Sequence, residues 1–225
     1  MNIASAGSTY ASDPPMPRLR VRDLRSPHGG PYGLDLEAGE CLAVLGPSGS
    51  GKSVLLRLIA DLDPHQGEVW LDGRSRSTWP APEWRRQVVY QAAEPAWWAP
   101  TAEEHLGGAA PAVVAPMLEQ LGLRTAMLAA DISRLSTGER QRMALVRSLA
   151  RAPRVLLLDE PTASLDGAST QAVEQLLGHH MRQGLAVICV THSEEQARRI
   201  AGRSLRIGAQ AARSPQSASS ARPPP

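Results

Sequence analysis

The chain alternates short apolar runs with stretches of helical period. CLAVLG (41–46), VLLLDE (155–160) and LAVICVT (185–191) are apolar without alternation, the pattern of strands covered on both faces. LRVRDL (19–24) and YGLDLEAGE (32–40) read as half-buried strands, GEVWLDG (67–73) as a short strand closed by Asp-Gly, and SLRI (204–207) as a last strand. Helices are predicted over 52–62, where Leu55, Leu56, Leu58 and Ile59 supply the apolar face, and over 167–182 and 193–202. WRRQVVYQ (84–91) runs from a short helix into a strand, and 96–151 reads as entirely helical, interrupted by Pro and Gly. Buried strands separated by helices predict an α/β fold, a mainly parallel sheet flanked by helices with an inserted helical subdomain at about 96–151. Residues 1–17 and 208–225, rich in Ala, Ser and Pro, are expected to be disordered ends around one domain at 18–207.

Composition removes several classes of function. Of 24 basic residues one is lysine, Lys52, and the rest are arginines. The formal charge is +2, and residues 203–225 carry four arginines and no acid, which leaves 20 − 22 = −2 over 1–202. No clustered basic face suits nucleic acid, and no nucleic-acid partner is expected. Cys41 and Cys189 each lie inside an apolar run and read as buried, reduced thiols, in keeping with a cytoplasmic compartment. No apolar run approaches the ~20 residues needed to span a bilayer, and the N-terminus lacks the pattern of a signal peptide.

Candidate chemistry starts at GPSGSGKS (46–53), which satisfies G-x-x-x-x-G-K-[ST] between a predicted strand and a predicted helix. In such a loop, Gly46, Pro47, Ser48, Gly49, Ser50 and Gly51 turn backbone N–H groups inward around phosphate oxygens, and the helix N-terminus adds its dipole. Ser53 offers a hydroxyl to Mg²⁺. Lys52 is a compact charge on a flexible stem that reaches between two phosphates, where the broad fork of arginine would not fit. A chain otherwise purged of lysine keeps one at this position. VLLLDEP (155–161) is an apolar strand ending in two carboxylates. Alone it would be a strand with a charged solvent end; beside a phosphate loop, Asp159 can hold the Mg²⁺ shell and Glu160 can polarise water toward a γ-phosphate.

LSTGERQRMALVRSLA (135–150) resembles the signature motif of ABC ATPases, LSGGQ followed by a basic-apolar helix, with Ser136 and the backbone at Gly138 at a helix N-terminus aimed at phosphate. SLD (164–166) is similar to that family's D-loop, and His192, after the strand 185–191, to its switch histidine. The resemblance covers roughly 18–207. It implies a P-loop NTPase fold with an N-terminal antiparallel β region, ATP and Mg²⁺ as cofactors, and a head-to-tail homodimer closing ATP between two chains. Each site would use Gly46–Ser53 and Asp159–Glu160 of one chain and Ser136–Gly138 of the other. Glu160 would be the general base, His192 would hold the γ-phosphate and the attacking water, and Asp166 would communicate across the dimer.

Three positions depart from the family. The glutamine usual three residues beyond Tyr90 is Ala93, so Gln91 or Glu94 would have to substitute as the Mg²⁺ contact, Glu94 being favoured. Thr137 and Glu139 replace Gly and Gln of the signature. The adenine-stacking aromatic has no clear counterpart; RSPHGGPYG offers His28 or Tyr32. A single ATPase without a membrane span suits a subunit held peripherally on the inner face of the cell membrane by a separate polytopic permease. The short helical region and the run from RRQVVY through EPAWWAPTAEEHL are similar to the small ATPase subunits of Fet-type exporters, implicated in iron export. Trp97 and Trp98 fall where that family receives a coupling helix, so they read either as a docking groove or as packing within the helical region. The alternative function is a soluble ABC ATPase acting on ribosomes or nucleic acid, which usually carries two ATPase domains or a long coiled-coil insertion.

Overall fold

The computed structural model describes residues 16–208. In chain order it contains β1 (Leu19–Ser26), β2 (Gly29–Leu36), β3 (Cys41–Leu45), α1 (Lys52–Ile59), β4 (Gln66–Leu71), β5 (Arg74–Ser75), α2 (Ala81–Gln87), β6 (Val88–Gln91), α3 (Pro111–Gln120), α4 (Thr137–Leu149), β7 (Val155–Asp159), α5 (Gly167–Arg182), β8 (Ala186–Val190), α6 (Glu194–Ile200) and β9 (Arg203–Arg206). The strands form two sheets. One is antiparallel, in the order β2-β1-β4-β5, and the other is parallel, in the order β6-β7-β8-β3-β9.

Every residue of β3, β7 and β8 is buried, because both faces of the parallel sheet are covered. Alternate residues point to opposite faces. Leu42, Val44, Val155, Leu157, Ile188 and Val190 pack with α1 and the antiparallel sheet. Cys41, Leu156, Leu158, Val187 and Cys189 pack with α3, α4 and α5. Burial pushes the Cys41 thiol up to about 12, and drives that of Cys189 well above its ordinary value. The registers Asp159↔Val190 and Val44↔Val190 bring the C-terminal ends of β7, β8 and β3 to one level. In a parallel sheet that edge is where ligands bind.

Trp84 on α2 is fully buried between the sheets, and its Nε1 donates to the Ile59 carbonyl at 3.0 Å. Trp84→Ala is expected to cost about 3–5 kcal/mol of unfolding free energy, since it leaves both a cavity and an orphaned carbonyl. Urea unfolding followed by far-UV circular dichroism measures this directly, and a loss below about 1 kcal/mol would contradict the packing described.

The structure corrects the reading of 96–151 as entirely helical. That region holds only α3, α4, three single 3-10 turns (Glu103–His105, Thr125–Met127 and Ile132–Arg134) and an isolated bridge, Thr101↔Asp131. Gly107 and Gly108 both take positive φ (63° and 78°), and Pro111 starts α3 rather than extending an earlier helix. Helix α1 stops at Ile59 instead of 62 because Asp61 turns left-handed, at φ 56°. The strand expected over 32–40 ends at Leu36. The ends expected to be disordered lie, apart from residues 16, 17 and 208, outside the described residues.

Candidate functional site

The phosphate loop joins β3 to α1, and its shape requires glycine at two points. A Cβ on Gly46 would sit 2.3 Å from the Ile207 carbonyl oxygen and 2.9 Å from Ser50 Oγ. One on Gly51, the residue before α1, would sit 2.7 Å from the Tyr32 hydroxyl. Both residues take positive φ, at 156° and 97°. Lys52 is buried, and its Nζ donates to the carbonyl oxygens of Gly46 and Pro47, each at 2.9 Å. The side chain therefore lies across the mouth of its own loop. Ser50 Oγ is buried and has no hydrogen-bond partner among the described residues, an orphaned polar atom that a phosphate oxygen would satisfy. Pro47, Ser48, Gly49 and Ser53 are exposed around it.

Asp159 ends β7, buried, with Oδ2 accepting from the Tyr90 hydroxyl at 3.1 Å. Burial, followed by the nearby Asp159 charge, raises the Tyr90 hydroxyl well above its usual range, so it stays a donor. Glu160 follows in the left-handed region, at φ 49°, and its N–H donates to the Val190 carbonyl at 3.1 Å. For a residue with a side chain that conformation costs on the order of 1 kcal/mol. Glu160 Oε1 lies 2.6 Å from His192 Nε2, joining the ends of β7 and β8 across the sheet edge. An open cleft of about 280 Å³ adjoins the pair.

Ser136 begins α4 with a capping box. Its Oγ accepts from the Glu139 N–H at 3.3 Å, and Glu139 Oε2 accepts from the Ser136 N–H at 2.8 Å. The backbone hydrogen bond from Ser136 holds the Glu139 carboxyl below its usual range. Glu139, the acid that replaces the usual glutamine, is thus folded back onto the helix end. A Cβ on Gly138 would touch Leu165 and Ser164, so the start of α4 packs on the SLD turn. Asp166 caps α5, its Oδ1 accepting from the Ser169 N–H at 2.7 Å, and that bond lowers its carboxyl. Among the described residues no hydrogen bond links 135–139 to 46–53.

Two sequence expectations change. Gln91 is buried, with Oε1 accepting from Ser148 Oγ of α4 at 3.1 Å, so it points to the face of the sheet opposite α1 and cannot serve as the Mg²⁺ contact. Glu94 sits exposed in the turn beyond. The β6 residue that reaches the acid strand is Tyr90, which sequence reasoning passed over although alternation along VVYQ puts it on the α1 side. Tyr32 is also removed as a base-stacking platform: it is buried, and its hydroxyl donates to the Gly51 carbonyl at 3.2 Å. His28 remains exposed on the β1–β2 turn.

Beyond β6, Trp97 packs against the core while Trp98 is 69% exposed. The Arg147 guanidinium lies 4.5 Å from the Trp97 ring centre and 5.3 Å from that of Trp98, and burial lowers it to about 10. Buried His105 fixes the turn. Its Nε2 accepts from the N–H groups of Trp98 (2.9 Å) and Ala99 (3.2 Å), so Nδ1 carries the proton given to the Thr101 carbonyl at 2.9 Å. Trp97 is thus packed within the helical region, and the ring of Trp98 is left exposed.

A glycine-shaped phosphate loop between a buried parallel strand and a helix, with two carboxylates at the same sheet edge, defines a P-loop nucleotide-binding fold. A family model described as "ABC transporter" matches residues 31–163. The probable iron export ATP-binding protein FetA of Escherichia coli is 36% identical over 173 residues, covering 72% of this chain and 77% of that protein. A solved structure of an ATP-binding subunit of an ABC transporter superposes with TM-score 0.77 at 23% identity, over 86% of this chain and 88% of the other. The dimeric structure of a bacterial ABC transporter cassette superposes at 0.70 and 25% identity, over 84% and 94%. This chain belongs to the ABC transporter family and is an ABC ATPase. These relatives lend no support to a soluble ATPase of ribosomes or nucleic acid. Among the described residues no helix is long and apolar enough to cross a membrane.

Proposed function

We propose that this chain is the motor subunit of a transporter, hydrolysing ATP at a head-to-tail dimer interface to drive a separate polytopic membrane subunit from the cytoplasmic face. The observation that carries this reading is the 2.6 Å Glu160–His192 contact at the same sheet edge as a complete phosphate loop. Lys52 and the loop N–H groups would bind the β- and γ-phosphates, with Ser50 Oγ gaining the partner it lacks. Ser53 and Asp159 would offer Mg²⁺ oxygen donors only, which suits a hard cation that would neutralise phosphate charge. Glu160 would take the proton of the attacking water, and His192 would hold that water and the γ-phosphate. A partner chain would contribute Ser136 and Gly138, and Asp166 would relay between the two sites. The FetA resemblance makes a metal ion, iron first, the cargo class to test.

Extraction from native membranes in mild detergent tests the assignment. Recovery with an equal amount of a polytopic membrane protein that stimulates ATP hydrolysis is the expected result. Recovery only from the soluble fraction, alone or with ribosomes, would sink it. Trp98 supplies the docking test. Trp98→Ala is expected to cost about 2 kcal/mol or more of affinity for the membrane subunit, as loss of a central aromatic anchor does. Basal hydrolysis would stay unchanged, and undiminished stimulation by the membrane subunit would rule out the docking role.

A further inference from the structure

Behind the Glu160–His192 pair lies a buried amide that none of the motifs contains. Gln196, on α6, is 4% exposed. Its Oε1 accepts from Thr191 Oγ1 at 2.7 Å, and its Nε2 donates to Thr162 Oγ1 at 2.9 Å and to Glu174 Oε1 at 3.2 Å. The amide is thereby fully used by three segments: the end of β8, the turn after β7, and α5. Its backbone N–H donates to Ser193 Oγ at 3.1 Å, and the Ser193 N–H donates to Thr191 Oγ1 at 3.1 Å. His192 is bracketed by these bonds on both sides. Glu160 stands two residues before Thr162 in a left-handed conformation that its surroundings must hold. Arg199 completes the back wall through Glu174, with contacts at 2.9 and 3.0 Å.

We propose that Gln196 is the positioning residue that holds Glu160 and His192 in register for hydrolysis. The proposal rests on the reading of those two residues as the catalytic pair. Only an amide serves at this site. A leucine would take away the acceptor of the Thr191 hydroxyl and the bridge to Thr162 and Glu174, and a glutamate would face Glu174 with a second carboxylate. The spacing predicts that the amide acts on geometry at the sheet edge and not on ATP capture, since none of its hydrogen bonds involves residues 46–53.

The test uses the full chain with Gln196→Leu, Thr191→Val and their double variant, measuring kcat, KM, affinity for a fluorescent ATP analogue and the unfolding midpoint. Gln196→Leu is expected to lower kcat by about ten- to a hundredfold, the scale of a small misplacement of reacting groups, with KM and nucleotide affinity unchanged. Thr191→Val should do the same, Thr191→Ser should restore turnover, and the double variant should lose no more than the deeper single, because both cut one network. Unchanged kcat in Gln196→Leu, a parallel fall of kcat and nucleotide affinity, or losses that multiply in the double variant would each overturn the proposal. If Gln196→Leu fails to fold, the Thr191 pair decides alone. Glu160→Gln and His192→Ala run beside them separate the two levels. Their full activity would sink the catalytic reading itself, whereas their loss with an active Gln196→Leu would sink only the positioning role.

Discussion

Glu160→Gln is expected to lower ATP turnover by about 10²- to 10⁴-fold while ATP binding survives, the loss typical of removing a positioned general base. Glutamine keeps the volume and can still meet His192 across the 2.6 Å contact, so the sheet edge should hold its shape. What it cannot do is accept a proton from water. Neither the phosphate loop nor Asp159 is touched by the change. The measurement is phosphate release under saturating ATP beside binding of a fluorescent ATP analogue. The expected pattern is lost turnover with retained affinity, and size-exclusion chromatography with ATP should show a longer-lived dimer. Near-normal turnover would move the base elsewhere, and Asp159 would be the first residue to re-examine.

Lys52→Arg is expected to fail almost as completely as Lys52→Ala, although it keeps the charge. Either change should cost about 2–4 kcal/mol of ATP binding, on the order of a hundredfold in Kd, the penalty for removing one partner of a buried charge pair. Lys52 is 6% exposed, and its ammonium is already within 2.9 Å of two loop carbonyls. A planar guanidinium needs more width and a fixed fork, and it would push against the same carbonyls. Titration calorimetry with ATP on both variants checks this, with thermal unfolding as the control for the fold. Wild-type affinity in Lys52→Arg would mean that charge alone suffices, and the survival of a single lysine in an arginine-rich chain would then lack a physical reason.

The parallel core was legible because its strands are covered on both faces. Runs such as VLLLD and AVICV carry no alternation, the pattern of strands buried on both faces of a parallel sheet. Helix α5 was read at its observed bounds, since Asp166 marks its start and the apolar positions Val173, Leu176 and Leu177 follow a helical period. The helical region misled because an Ala- and Leu-rich composition favours helix at nearly every position, while Gly107, Gly108 and the prolines break it up. Gln91 misled for a different reason. Facing direction at a strand end depends on register, and pairing with Leu158 turns Gln91 toward α4. Tyr90 and Gln196 have no motif, since their partners lie 69 residues away at Asp159 and up to 34 away at Thr162. Such partners become neighbours only once the sheet order is known.

The burial of both cysteines has a practical reach. Cys41 and Cys189 offer a reagent almost no surface, and their raised thiols leave next to no thiolate at neutral pH. The chain therefore presents a blank background to maleimides and spin labels without any prior removal of native residues. A cysteine introduced at an exposed position of the helical region, such as Val113→Cys, and another on the antiparallel sheet would be the two reactive points. The distance between those probes, read with and without nucleotide, would follow the helical region against the sheet in an otherwise unaltered protein.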